Sequence, residues 1–388
     1  AALGAGGALA LGGVRTPSGK VVYAGDLTVP WHGENQPGIT TTPQGFLTLV
    51  AFDLEPGVDR TRLGRLMRIW TDDISRLAEG RPSLTDTEPE LALDPARLTF
   101  TVGFGPGLFE KAGMASERPE WLRQLPPYPQ IDQLEDRWSE GDLVLQVCGE
   151  DPNVVTHAAR QVSKSAGAYA KVRWVQRGYR NAAGQVRDGA TFRNQFGQLD
   201  GTSNLQGEED EFVWITADSG APSWLVGGTS MVVRRIFMDL DTWDHLDRPG
   251  REITVGRTLG EGGPLTGGGE FDDPDLEARN ELGFPAIDSA AHIRRSRTED
   301  PSQRFLRRPY NYDADEVGLA AGAEGVPNNH GLVFITFQKD LEHQYLPVQE
   351  RLAELDLLNQ WTVPIGSAVF AVPRGVREGE WLAQDLFG

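Results

Sequence analysis

The stretch GFLTLVAFDL, residues 45–54, is an apolar run rich in β-branched and aromatic residues, a composition that predicts a buried strand. A run of closely similar pattern, GLVFITFQKDL, occupies residues 331–341. Both runs contain two phenylalanines, both end in Asp-Leu, and a segment with helical character follows each of them. This repetition predicts that one structural unit occurs twice in the chain.

The elements predicted around the two runs recur in a similar order. For the first run they are a helix at residues 60–77, strands at 98–104 and 143–148, a helix at 154–165 and a strand at 171–175. For the second run they are a preceding strand at 230–240 with a helix at 241–246, then a helix at 346–358 and a strand at 368–372. Two such units in series predict the α+β class, as a duplicated ferredoxin-like fold with antiparallel sheets and flanking helices.

Length and local composition predict where the two units meet. A chain of 388 residues is long enough for two domains with a substantial core. The polar, Gly-containing stretch near residues 178–189 places an N-terminal domain at 14–185 and a C-terminal domain at 186–388. The Gly-rich, acidic residues 256–275 predict a long surface loop, without the strand-to-helix context of a phosphate-binding loop.

The composition excludes several classes of protein. A hydrophobic fraction of 39% and a charged fraction of 24% are typical of a globular protein. The formal net charge of −19 argues against binding to nucleic acids or to an anionic membrane surface, and it favours cationic small molecules or a basic partner. No apolar run is long enough for an integral membrane segment.

Two further features concern cysteine and the first residues. Cys148 is the only cysteine, which excludes an intramolecular disulfide and a four-cysteine metal site, and its apolar neighbours predict a buried thiol. Residues 1–13 are almost only Ala, Gly and Leu and resemble the tail of a twin-arginine export signal, although no arginine pair precedes them. We therefore expect an extracytoplasmic or secreted protein.

The segment FGQLDGT, residues 196–202, places the carboxylate of Asp200 in a glycine-flanked turn without other charges. A carboxylate in such a turn is poorly solvated, so it can carry protons near neutral pH. A glycine-flanked aspartate is more often a plain turn, so this motif alone is weak. Two later segments add specificity: AAHIRRSR at 290–297, which contains His292, and FLRRPY at 305–310, which contains Arg307.

Together and in this order, these three motifs resemble the dye-decolorizing peroxidases, a family of haem enzymes. The resemblance implies the duplicated ferredoxin-like architecture of the dimeric α+β barrel type, with haem b in the C-terminal half. It implies that Asp200 is a distal acid and base, that Arg307 is a distal cation, and that His292 is the axial ligand of iron. The cofactor-binding residues it implies are Gly201, Thr202, Ser203, His292, Arg297 and Arg307.

The resemblance also implies partners for the cofactor and for the enzyme. Arg297 is chosen among Arg294, Arg295 and Arg297 as the countercharge for a haem propionate. Asp340 is the candidate partner for the second imidazole nitrogen of His292. The substrates implied are hydrogen peroxide and aromatic dyes or phenolic compounds, and a homo-oligomer is compatible with the sequence.

Substrates too large for a pocket would be oxidised at the surface, through aromatic residues. Trp243, in a polar segment, and Tyr312, five residues after Arg307, are the candidates for surface redox sites, against the alternative that both are core residues. The five other histidines have no second histidine at metal-binding spacing. Two further functions stay open: a deferrochelatase-like protein that handles haem or releases its iron, and a non-catalytic α+β barrel that binds a small ligand.

Overall fold

The computed structural model describes residues 13–15, 21–181, 190–297, 300–314 and 329–388. Its strands are β1 (Gly13–Arg15), β2 (Val21–Tyr23), β3 (Phe46–Leu54), β4 (Thr99–Phe104), β5 (Leu143–Gly149), β6 (Ala170–Tyr179), β7 (Thr229–Met238), β8 (Leu306–Arg307), β9 (Tyr310–Asp313), β10 (His330–Gln338) and β11 (Thr362–Val372). Its α-helices are α1 (Arg60–Ala78), α2 (Pro106–Lys111), α3 (Pro152–Ser165), α4 (Glu209–Phe212), α5 (Leu240–Asp244), α6 (Arg248–Val255), α7 (His292–Ser296), α8 (Leu346–Leu355) and α9 (Gln384–Phe387).

Strands β3 to β11 form one sheet that closes on itself. The order is β7-β11-β4-β5-β3-β6-β9-β10, and β10 pairs again with β7, while the short β8 pairs with β10 beside β9. In the N-terminal half the strands lie side by side in the order β4-β5-β3-β6, so the second strand of that half is followed by its third, first and fourth. In the C-terminal half the order β9-β10-β7-β11 is the same one, when β7, β9, β10 and β11 are counted as first to fourth. The chain therefore folds as two ferredoxin-like halves, as the sequence predicted.

The two halves meet at two narrow seams. Only Ala371 and Phe104 pair between β11 and β4, and only Tyr179 and Asn311 pair between β6 and β9. Side chains inside the closed sheet hold the halves together instead. Residues of this interior come from both halves and include Leu49, Cys148, Tyr310, Val333 and Phe370.

The outer face of the N-terminal half is covered by two long helices. Helix α1 begins at Asp59, whose carboxylate accepts a hydrogen bond from the backbone N–H of Arg62. Its buried stripe packs with α3 against the sheet, so that Trp70 is fully buried and donates from Nε1 to the carbonyl of Val162 at 3.0 Å. Strands β4 and β5 are buried along their whole length.

The C-terminal half is covered differently. Between β7 and β8 the chain carries an insertion, residues 239–305, that contains only the short helices α5, α6 and α7 among its described residues. A π-helical turn, Leu341–Tyr345, precedes α8. On the outward face of the sheet, Ile236 in β7 and Phe334 in β10 are only half-buried although they lie within central strands. Apolar strand residues that are left partly uncovered indicate a cavity between the sheet and the insertion.

Several sequence expectations require correction or lie outside the described residues. Trp243 and Tyr312 are each 1% exposed, so neither is a surface residue. The predicted surface loop at 256–275 is partly buried, because the side chain of Arg257 points inward and bonds to the carbonyls of Gly262 and Glu270. Most of the predicted tail at 1–13 and most of the boundary at 178–189 lie outside the described residues. In the described part of the chain, no helix combines the length and apolarity needed to cross a membrane.

Candidate active site

Asp200 lies at the end of a tight turn that Asn194 organises. The side-chain oxygen of Asn194 accepts hydrogen bonds from the backbone N–H groups of Phe196 and Gln198, at 3.1 and 3.3 Å. Gly197 supplies a φ of +77°, which a residue with a side chain rarely adopts. Asn194 also donates from Nδ2 to Oδ2 of Asp200, at 3.3 Å. The same asparagine therefore shapes the turn and contacts the carboxylate.

Arg307 reaches Asp200 from strand β8. Its Nη1 donates to Oδ1 of Asp200 at 2.8 Å, and both side chains are mostly buried. The backbone of Arg307 is fixed by Asn204, which accepts from its N–H at 2.8 Å and donates to its carbonyl at 2.7 Å. Arg307 pairs across the sheet with Thr336, two residues beyond Phe334, so it belongs to the outward face that borders the cavity.

His292 is the first residue of α7 and faces the same cavity. Its Nδ1 lies 2.6 Å from Oδ2 of Asp356, a buried carboxylate at the end of α8. Burial alone would lower the pKa of His292, but the charge of Asp356 and its hydrogen bond raise that pKa above its ordinary value. The charges of Asp200 and Arg307 also act on the imidazole, in opposite directions. The three side chains therefore share one site.

The predicted partner of His292 was wrong. The side chain of Asp340 accepts from the backbone N–H of His343 and so caps the π-helical turn. Asp356 takes the imidazole instead, because α8 packs against α7 and brings its C-terminal end to His292. Asn194, Asn204 and Asp356 were all missed from the sequence. Only Asn194 carried a local signal, since an asparagine before a glycine-containing turn is a common turn-forming residue.

The site fits a haem. With Nδ1 engaged by Asp356, the Nε2 atom of His292 is left as the nitrogen that can bind iron. The His292 side chain keeps 33% of its surface accessible, so its ring is open to a ligand. The half-buried Ile236 and Phe334 offer the apolar contacts that a porphyrin needs.

The basic residues after His292 already have protein partners. Arg297 is paired with the exposed Asp273, and Arg295 donates to Glu354 at 2.5 Å. Arg294 donates to the backbone carbonyls of Leu276 and Ile287. Arg295 and Arg297 are both held by highly exposed carboxylates, which a haem propionate could replace, and Arg297 is the more accessible of the two cations, at 37% against 19% exposed.

The remaining predicted cofactor contacts lie on the turn itself. Gly201 has a φ of +150°, and a Cβ at that position would lie 3.3 Å from the methyl group of Thr191. The Thr202 hydroxyl donates to Glu270 at 3.3 Å, and Ser203 is exposed. A direct role of these three residues toward a cofactor stays a prediction.

One other group of metal-type side chains exists in the described residues. Asp86, Glu88 and His157 bring ligand atoms within 4.8 Å of one another. Both carboxylates already have protein partners: Asp86 lies 2.8 Å from Nε2 of His157 and accepts from Gln161 at 3.0 Å, and Glu88 pairs with Arg160. These contacts join residues 86–88 to α3.

Comparison with known proteins shows the family of this chain. The family profile described as "Dyp-type peroxidase, N-terminal" matches residues 36–180, and "Dyp-type peroxidase, C-terminal" matches residues 191–377. A dye-decolorizing peroxidase of Thermobifida fusca is 39% identical over 90% of this chain and 83% of its own length. A deferrochelatase of Escherichia coli is 32% identical over 92% of this chain and 86% of its own length.

Similar solved structures support the same family. A DyP-type peroxidase from Cellulomonas bogoriensis is 52% identical, with a TM-score of 0.89 over 94% of this chain and 99% of its own. Ferric DtpA from Streptomyces lividans is 36% identical, with a TM-score of 0.87 over 94% of this chain and 98% of its own. The chain therefore belongs to the Dyp-type peroxidases, a family of haem enzymes, as its three motifs predicted.

Proposed function

We propose that this haem peroxidase holds a b-type haem through His292, reduces hydrogen peroxide beside Asp200 and Arg307, and oxidises aromatic dyes or phenolic compounds. The observation that carries the proposal is that the His292–Asp356 pair and the Asp200–Arg307 pair lie near enough for the charges of Asp200 and Arg307 to act on His292. When bound, the haem would supply the iron at which peroxide binds and the electrons that cleave the O–O bond. The residues of the chain prepare that site.

The Asp356 carboxylate orients the imidazole of His292. A hydrogen bond at Nδ1 fixes the tautomer and makes Nε2 a stronger electron donor. Arg297 is our candidate for one haem propionate, in exchange for the exposed Asp273.

Asp200 and Arg307 have different roles in the reaction with peroxide. Asp200 accepts a proton from one peroxide oxygen and returns it to the other, which leaves as water. Arg307 stabilises the negative charge that develops on the leaving oxygen, and because its backbone is fixed by Asn204 it need not reorganise during the reaction. Asn194 keeps the second carboxylate oxygen of Asp200 in place.

Bulky substrates would be oxidised away from the cavity, by a route that keeps Trp243 but reaches the surface at Trp361 instead. Trp243 is buried, and its ring lies 4.4 Å from that of Phe196, on the Asp200 turn, and 5.2 Å from that of Trp361. Trp361 is half-buried and so reaches solvent. Tyr312 stacks on Arg235, which in turn lies over the half-buried Trp138. We propose the Trp243–Trp361 pair as the route for electrons to the cavity, because it begins at the turn that carries Asp200.

A second function, release of iron from haem, is raised by the deferrochelatase relative at 32% identity. The Asp200–Arg307 pair favours the peroxidase, since a protein that only carries or empties haem needs no proton acceptor beside a cation. An export route through the twin-arginine system, supported by the Ala-, Gly- and Leu-rich residues 1–13, also stays a proposal. Cell fractionation with the full-length protein would test it.

The central test replaces the carboxylate of Asp200 by an amide. Asp200→Asn preserves size and an acceptor for Arg307 but cannot take a proton, so we expect the reaction with peroxide to slow by roughly 10²- to 10⁴-fold. The measurement is the stopped-flow change of the Soret band on mixing with H₂O₂. Asp210→Asn, an exposed site in the same region, is the matched control and should react like the wild type. A wild-type rate in Asp200→Asn would remove Asp200 from the mechanism.

A further inference from the structure

The Asp200 turn is bound to the inserted loop at residues 257–270 by side chains that cross in both directions. From the turn, Arg193 donates to the carbonyl of Leu259 at 2.8 Å and to that of Gly260 at 2.7 Å, while also donating to Gly197 on its own turn at 2.8 Å. The loop packs directly on the residue before Asp200, because a Cβ at Gly262 would lie 2.6 Å from a methyl carbon of Leu199. Turn and loop therefore behave as one packed unit.

From the loop, Glu270 reaches back to both sides of Asp200. One carboxylate oxygen, Oε1, accepts hydrogen bonds from the hydroxyls of Thr191 and Thr202. Thr191 precedes the turn and Thr202 follows Asp200 by two residues. The backbone of Glu270 is itself held, because Arg257 donates to its carbonyl at 2.6 Å. The Glu270 carboxylate thus adds a side-chain link between two chain segments that the Asp200 N–H already joins by donating to the carbonyl of Phe192 at 2.7 Å.

The junction that Glu270 closes is also tightly packed. Gly201, at a φ of +150°, brings the backbone next to the Thr191 methyl group, so the two segments are in contact at the position adjacent to Asp200. A separation of these segments would rotate the Asp200 carboxylate away from Arg307. Misplacement of a catalytic group by about 1 Å can cost on the order of 10²-fold in rate.

We propose that Glu270 is a positioning residue for Asp200: by binding Thr191 and Thr202 it holds the carboxylate of Asp200 at the distance from Arg307 that proton transfer requires. Glu270 does not touch the reacting atoms in this account, and it acts only through Asp200. The proposal rests on the proposed role of Asp200 in the peroxide reaction.

Three variants test the positioning role of Glu270. Glu270→Ala removes the acceptor, whereas Glu270→Gln keeps an oxygen at the same place without the charge. Glu270 and Thr191 line an open cleft of about 520 Å³, so the alanine variant leaves no sealed hole in the core. Glu277→Ala, at an exposed carboxylate of the same insertion, is the matched control. We expect Glu270→Ala to slow the peroxide reaction by roughly 10- to 100-fold, and Glu270→Gln to restore most of the rate.

A readout other than turnover separates positioning from loss of structure. Hydrogen cyanide, like peroxide, gives up a proton as it binds, so Glu270→Ala should slow cyanide association and alter its pH profile, while haem content and melting temperature stay near those of the wild type. In the haem-free protein, amide hydrogen exchange of residues 192–202 should be faster in Glu270→Ala than in Glu277→Ala.

The decisive comparison uses the Asp200→Asn background. If Glu270 acts only through Asp200, then adding Glu270→Ala to Asp200→Asn should change the peroxide rate by less than about twofold. A full additional loss in the double variant would overturn the proposal, and so would wild-type peroxide and cyanide kinetics in Glu270→Ala. The proposed function fails separately, if Asp200→Asn itself reacts at the wild-type rate.

Discussion

The two halves of this molecule share one strand order but differ in what covers the outward face of the sheet. In the N-terminal half, α1 and α3 seal the face, and β4 and β5 are buried throughout. In the C-terminal half, the crossover that corresponds to α1 is replaced by the insertion at 239–305, and Ile236 and Phe334 stay half-buried. A long amphipathic helix fills the groove over a sheet, whereas short helices and loops leave room for a cofactor. The candidate active site therefore lies on the half of the sheet that has no long helix equivalent to α1.

The largest effect should follow from removing His292, the proposed iron ligand in the C-terminal half. His292→Ala leaves Asp356 without its imidazole partner and should reduce the Soret absorbance per protein more than tenfold. Added imidazole should restore part of the band by filling the vacated space. His245→Ala, an exposed histidine in the same insertion, should bind haem normally. Full haem retention with an unchanged spin state in His292→Ala would show that another residue is the ligand.

In the N-terminal half, which α1 and α3 cover, a core substitution should lower the stability of the protein and leave the peroxide reaction unchanged. Trp70 is fully buried, bonds to Val162 and packs 5.8 Å from the ring of Phe52. Trp70→Ala should lower the free energy of unfolding by about 3–5 kcal/mol, whereas Trp70→Phe should lower it less. Chemical denaturation gives the stability, and the peroxide rate per bound haem should not change. A large loss of that rate at normal haem content would mean that the halves are more strongly coupled than this comparison implies.

Glu140 lies at the junction of the halves, where its backbone N–H donates to the carbonyl of Ser367 at 2.9 Å, and it should make stability depend on pH. Burial raises the pKa of Glu140 from its ordinary value of 4.5 to about 7, with Asp136 adding to the shift and Arg173 opposing it. Because the folded state holds this proton more tightly than the unfolded state, the contribution of Glu140 to stability is complete below pH 4.5. That contribution is lost as the pH rises through 7, by about 3 kcal/mol at most.

Glu140→Gln tests that sign. The variant should be more stable than the wild type at pH 8, by about 1–3 kcal/mol, and equal to it at pH 4.5. Melting temperatures across this pH range would measure the effect, with the exposed Glu378→Gln as control. If wild type and Glu140→Gln were equally stable at pH 8, burial would not raise the pKa of Glu140 in the folded protein.

The smallest effect concerns the surface route. Trp361→Phe, alone or with Trp243→Phe, should leave the peroxide reaction intact and lower kcat for a large anthraquinone dye several-fold, with less effect on a small phenol. Trp381→Phe, a half-buried tryptophan packed on the N-terminal half, is the control. Equal losses on both substrates would instead favour oxidation at the cavity.

Features with a local cause could be predicted from the sequence. The strand runs at 45–54 and 331–341, the helix from Arg60 and the buried Cys148 all follow from composition and spacing within one segment. The motifs that contain Asp200, His292 and Arg307 were recognised by their order in the chain, and the structure brings the three side chains together.

Features that depend on tertiary packing were missed or wrong. Asp340 and Asp356 both follow a regular element, and only the packing of α8 against α7 decides that Asp356 meets His292. Trp243 has polar neighbours, yet the single turn of α5 directs its ring inward onto Phe196. Asn204 lies far from Arg307 in sequence, and no local pattern distinguishes an asparagine that holds a distant backbone from one in a loop.

The two narrow seams of the closed sheet have a further consequence. Because only one residue pair bridges each seam, the halves are joined as two subunits would be, by side chains that cross between them: Arg235 donates to Gln176 at 2.6 Å, and Tyr310 contacts the Cys148 sulfur at 3.6 Å. One polypeptide thus has the topology of a dimer. A break in the backbone at residues 182–189 should yield two fragments that recognise each other, so that separately produced halves could complement one another and rebuild the enzyme.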